Sequence, residues 1–274
     1  MSWTERQRAM LAEMGIRLWP DPHREGLASP PLTPPAEREG GGSARSAAAL
    51  RESVPAGPPS PATRADAKGR GELGARPVGV EVMDWPALRE AVAGCTACAL
   101  CRGRRNTVFG VGHERAHWMI VGEAPGEQED RLGEPFVGAA GQLLDSMLRA
   151  VGLGRSPGEV DDPARQVFIA NVLKCRPPVN RNPRPEEVAQ CAPFLKRQVA
   201  LVQPRLILAM GRFAVQALLD TDAAIGKLRG QVHRYEGVPV VVTYHPAYLL
   251  RNLPDKARAW EDLCLAREVA AAPR

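Results

Sequence analysis

From about residue 82 to the C-terminus, short apolar runs alternate with stretches whose apolar residues recur every three or four positions. The runs lie at 117–121, 167–172, 206–210 and 238–243. Each has the length of a strand buried on both faces. After the first run, Leu143, Leu144, Met147, Leu148 and Val151 share one face of a helix. Residues 185–202, 211–219 and about 255–270 also read as helices, and a further one starts where Asp84 precedes Trp85-Pro86, an N-cap with proline in the first turn. Strands alternating with helices predict an α/β fold: a three-layer sandwich whose central, mainly parallel four-stranded sheet is flanked by helices.

Upstream of residue 82 this pattern stops. Residues 4–18 predict a short amphipathic helix, with Met10, Leu11, Met14 and Leu18 on one side and Trp19 before the break at Pro20. Residues 21–81 consist largely of Pro, Gly, Ala, Ser, Arg and Glu, a composition that cannot bury enough apolar surface to fold. They are expected to be a disordered tether. The segment 1–20 is either a peptide that binds a replication or repair protein, with Trp19 as its anchor, or a helix that packs back on the main domain. The pattern allows both.

Composition narrows the chemistry. No apolar run approaches the ~18 residues of a membrane span, and the N-terminus lacks the apolar core of a signal peptide. A cytoplasmic, nucleoid-associated protein is expected, in which the six cysteines bind a metal or cluster rather than form disulfides. The formal charge is +5, and most of the basic residues are arginines. Arginine suits bidentate contact with phosphate and bases, although compositional bias explains its abundance equally well.

Two groups of residues carry candidate chemistry. The first is the loop from Val121 to Gly138, which contains Glu123, Ala124, Pro125, Glu129 and Phe136. It lies where a strand ends and a helix begins, the place where α/β sheets bind ligands. The second is the cysteines. Cys95 and Cys98 form a CxxC turn, which lets two thiolates reach one metal or cluster. Cys175 and Cys191 lie on either side of a proline-rich loop, a spacing that suits a cluster better than a zinc knuckle; they also read as buried free thiols. Cys101 and Cys264 have no evident role.

The CxxC, the 121–138 loop, Asn171, the Lys174-Cys-Arg-Pro-Pro178 stretch and His245-Pro-Ala-Tyr-Leu-Leu-Arg251 occur in one order. Taken together they resemble the family 4 uracil-DNA glycosylases, repair enzymes that carry a [4Fe–4S] cluster. The resemblance runs from about residue 82 to the C-terminus. It implies a monomer that flips uracil from single- or double-stranded DNA, hydrolyses its N-glycosidic bond and leaves an abasic site for base excision repair. It also implies Cys95, Cys98, Cys175 and Cys191 as cluster ligands. Phe136 would stack on the flipped base, and Asn171 would read uracil's O4 and N3–H. His245 would stabilise charge developing on O2, Glu129 would exclude a thymine methyl, and Glu123 with Ala124 would position water or the uracil edge. Leu249, Leu250, Arg251 and Arg176 would contact DNA, with Leu250 as the wedge.

No aspartate occupies the loop position that activates water in the best-known uracil glycosylases, so electrostatic stabilisation of the leaving base is expected to carry most of the rate. The segment 178–183 lacks the histidine of DNA-crosslinking relatives, which argues against covalent capture. A second reading remains open: a catalytically inactive iron–sulfur DNA-binding or scaffold protein recruited through its N-terminal peptide. Taken singly, the residues also have ordinary readings. Phe136 reads as core, Asn171 as a turn residue and the 127–130 carboxylates as a solvated helix start.

Overall fold

The computed structural model describes residues 73–156 and 162–272. The predicted helix at 4–18 and the tether as far as residue 72 lie outside the described residues. The described chain enters a 3-10 turn at Val80–Val82 and buries Val80 in the core. Helix α1 (Trp85–Ala93) follows. Its start is the expected one, since Asp84 Oδ1 accepts from the Ala87 N–H at 3.0 Å.

The sheet has six strands: β1 (Val111–Gly112), β2 (Trp118–Gly122), β3 (Val167–Asn171), β4 (Leu206–Met210), β5 (Val232–Tyr235) and β6 (Val238–Thr243). Their order is β1-β3-β2-β4-β6-β5. The inner four, β3-β2-β4-β6, are parallel and coincide with the four predicted runs. The sequence pattern did not show the two antiparallel edge strands, β1 on β3 and β5 on β6.

The helices after α1 are α2 (Glu127–Leu132), α3 (Ala139–Ala150), α4 (Pro185–Val202), α5 (Arg212–Leu219), α6 (Ile225–Leu228), α7 (Pro246–Leu249) and α8 (Asp255–Ala271). Every residue of β2, β3 and β4 is buried. The two-residue period of a strand sends alternate side chains to opposite faces. Trp118, Ile120, Ile169 and Leu208 pack with Leu144, Met147, Trp260 and Leu263 of α3 and α8. Met119, Val121, Phe168 and Ile207 pack with Leu88, Phe194, Val199 and Val215 of α1, α4 and α5. These are the three expected layers. No described helix is long and apolar enough to cross a membrane.

Candidate active site

The C-terminal ends of β2, β3, β4 and β6 open into a cavity of about 920 Å³. Seven of the residues singled out from sequence, Glu123, Ala124, Glu129, Phe136, Asn171, His245 and Arg251, line it. They come from three separate segments, those after β2, at the end of β3 and after β6, brought together because parallel strands deliver their following loops to one edge.

Small residues let these groups approach. A Cβ on Gly122 would lie 2.4 Å from Asn171 Oδ1 and 2.6 Å from Phe136 Cζ. A Cβ on Gly141 would lie 1.7 Å from the Phe136 carbonyl oxygen. Phe136 itself has φ 56, a left-handed conformation that costs a bulky residue energy and is held here by its surroundings. Its ring lies 5.4 Å from that of His245, at an interplanar angle of 27°.

His245 is the N-cap of α7. Its Nδ1 accepts from the Ala247 N–H at 3.1 Å, which places the ring proton on Nε2. Burial lowers its pKa to about 4, with Arg251 contributing and Glu129 opposing, so the ring is a neutral donor at ordinary pH. Glu123 shows the converse effect: burial raises its carboxyl to about 7. The Asn171 side chain is buried and makes no hydrogen bond to the described residues, so its amide is open to a ligand.

The carboxylate run separates into three roles. Glu127 pairs with Arg176 at 3.4 Å. Glu129 accepts from the Gly126, Val137 and Gly138 N–H groups, which fixes the loop as a rigid wall. Asp130 is buried and accepts from the Arg105 N–H. At the end of β6, two residues before His245, Thr243 Oγ1 donates to the buried Asp262 at 2.9 Å, and Asp262 also accepts from Arg229 Nε at 3.2 Å.

On the expected DNA surface one residue needs correction. Leu249 is completely buried against the α3 and α8 side of the core, because α7 turns it inward, so it cannot touch DNA. Leu250 is 43% exposed. Arg176 is half-buried and engaged by Asn180 and Glu127. Sequence reasoning missed Arg212, Tyr244 and Asp222, which also line the cavity. Arg212 follows Gly211, whose φ of 90 and close approach to His245 (3.0 Å from an added Cβ to His245 Cβ) marked that turn.

The cysteines gather beside the cavity. Cys98, Cys175 and Cys191 pack with Leu100, Leu173 and Ala124. One Arg104 nitrogen donates both to the Cys95 carbonyl (2.7 Å) and to Cys175 Sγ (3.2 Å), linking the two pairs. Burial raises the pKa of Cys98 and Cys175 and pushes Cys191 up to about 12. Thiolates there require a positively charged centre. Among the described residues no group of three or more Cys, His, Asp or Glu side chains is placed to hold a metal ion. Cys101 is partly buried near this set, and Cys264 packs against the core.

Residues 109–264 match the family model described as the uracil DNA glycosylase superfamily. The chain belongs to that superfamily. It is 40% identical over 196 residues to the type-4 uracil-DNA glycosylase of Sulfurisphaera tokodaii, covering 68% of this chain and 85% of the relative. It is 45% identical over 167 residues to that of Archaeoglobus fulgidus, covering 58% and 79%. With that of Thermotoga maritima the identity is 43% over 171 residues, covering 62% and 84%. Within the superfamily the chain thus stands with the type-4 enzymes, and its α/β sheet agrees with that family.

Proposed function

We propose that this chain is a DNA repair enzyme that flips uracil from DNA and hydrolyses its N-glycosidic bond, leaving an abasic site. The observation that carries this is the meeting of Glu123, Phe136, Asn171 and His245 in one cavity at the strand ends. A base must leave the stack to be reached, and Phe136 offers it an aromatic face. The unpaired Asn171 amide both donates and accepts, matching uracil's O4 and N3–H. Cytosine reverses that pattern and leaves buried groups unpaired, which costs several kcal/mol, roughly 10⁴-fold in selectivity.

As the glycosidic bond breaks, negative charge develops on uracil O2. His245, neutral and protonated on Nε2, donates there, and being uncharged beforehand it needs no proton transfer to do so. Glu123, with a pKa of about 7, is suited to orient water and take its proton as the sugar carbon becomes electrophilic. Glu129, held by three backbone N–H groups, forms a stiff wall against a thymine methyl. Arg212, Arg251 and Leu250 serve the DNA. Cys95, Cys98, Cys175 and Cys191 hold a [4Fe–4S] cluster, which ties the segment before β1 to the loop after β3.

The test uses protein with its full iron complement and uracil-containing single- and double-stranded oligonucleotides, followed by alkali. Strand scission at uracil, with thymine- and cytosine-containing controls intact, is expected. No scission would favour the inactive, DNA-binding reading.

A further inference from the structure

The loop after β3 carries a feature that the chemistry above leaves unused. Pro178, Val179, Asn180 and Arg181 form a turn closed by the Arg181 N–H donating to the Pro178 carbonyl at 3.1 Å. Its two central residues are left-handed, Val179 with φ 55 and Asn180 with φ 51. Turns of this hand favour Asn, Asp and Gly, and a β-branched residue in the first central position is strained. No packing compensates, since Val179 is 93% exposed.

The surroundings nevertheless impose the conformation. Arg176 Nε donates to Asn180 Oδ1 at 2.7 Å, and the Asn180 N–H donates to the Pro177 carbonyl at 3.0 Å. Arg181 makes a two-pronged pair with the buried Glu187. A rigid turn thus holds an apolar side chain out in water, between Pro177 and Asn180, which both line the cavity. Leu250, next in sequence to the cavity-lining Arg251, is exposed as well. Strain kept at such a place points to a contact made with the bound partner, and apolar side chains at DNA-binding surfaces act by entering base steps.

We infer that Val179 is an apolar probe that enters the base stack of double-stranded DNA at the uracil, acting with Leu250 to hold the duplex open. The inference rests on the glycosylase reading. A single strand has no stack to hold open against pairing, so Val179 matters for duplex substrate alone.

Two variants test this, with melting temperature and excision from single- and double-stranded uracil DNA as readouts. Val179→Asn puts a residue tolerant of left-handed backbone in the turn, so melting should rise by about 2–4 °C. Excision from duplex should fall about tenfold relative to single strand. Val179→Ile keeps an apolar tip and should retain the wild-type ratio. A Val179→Asn protein with the wild-type ratio of duplex to single-strand excision overturns the inference. So does one that loses both activities equally, because that is damage to the pocket. Failure of the wild type to excise uracil from either substrate refutes the glycosylase reading instead.

Discussion

At the scale of single residues, burial assigns two titratable groups to different roles. His245 stays neutral down to about pH 4, and Glu123 titrates near 7. A carboxylate that must accept a proton is inactive when protonated, so the single-turnover rate should fall as pH drops through about 7. Glu123→Gln should flatten that limb, measured with saturating single-stranded substrate; an unchanged limb would assign the titration elsewhere. His245→Ala removes one donor to the developing oxyanion and should cost about 10²–10³ in rate while DNA affinity holds. Equal loss of both would mean that His245 serves the fold. The residue identities were legible in the sequence. Leu249 and Leu250 were not separable there, because adjacent leucines differ only in which side of a short helix they occupy.

At the scale of elements, the site depends on how closely the strand ends and their loops approach. The β3 backbone continues past the sheet: Val172 and Leu173 donate to the Gly122 and Glu123 carbonyls at 3.0 and 3.1 Å. This bonding ties the Glu123 loop to the end of the strand that carries Asn171. Gly122→Ala pushes a methyl between Asn171 and Phe136. It should cost about 1–3 kcal/mol of stability by overpacking, with uracil excision lowered more than tenfold; thermal melting and excision assays check both. The parallel strands were legible because burial on both faces makes them apolar throughout. The edge strand β5 was not, since Val232-His-Arg-Tyr235 has its two polar residues side by side and exposes Val232, so it shows neither an apolar run nor an apolar–polar alternation. Its two-residue hairpin turn, Glu236-Gly237 with both φ positive, is a weaker signal than Asn-Gly.

At the scale of the whole molecule, the cysteines join distant parts of the chain. Cys95 and Cys98 precede the sheet, Cys175 follows β3, and Cys191 lies on α4. The proposed cluster would cross-link these parts, remove loop-closure freedom from the unfolded chain and contribute about 3–5 kcal/mol on that basis. Cys191→Ser, read by iron content, colour, melting temperature and excision, should lower all four together. Full activity and stability in iron-free protein would show that the cysteines hold no structural cluster. The loop beside Cys175 also carries Val179, so the proposed cluster would hold the inferred duplex contact in place as well.

The apolar runs determined the four inner strands, and the order of the motifs determined the family and the identities of Glu123, Phe136, Asn171 and His245. These depend on residue type and local spacing, which a linear chain records. The tertiary structure decided that Leu249 faces inward, that Glu129 is held by the backbone of its own loop, that Arg212 joins the cavity and that Val179 stands strained in solvent. Those facts depend on burial, backbone sign and neighbours distant in sequence, and these exist only once the chain has packed.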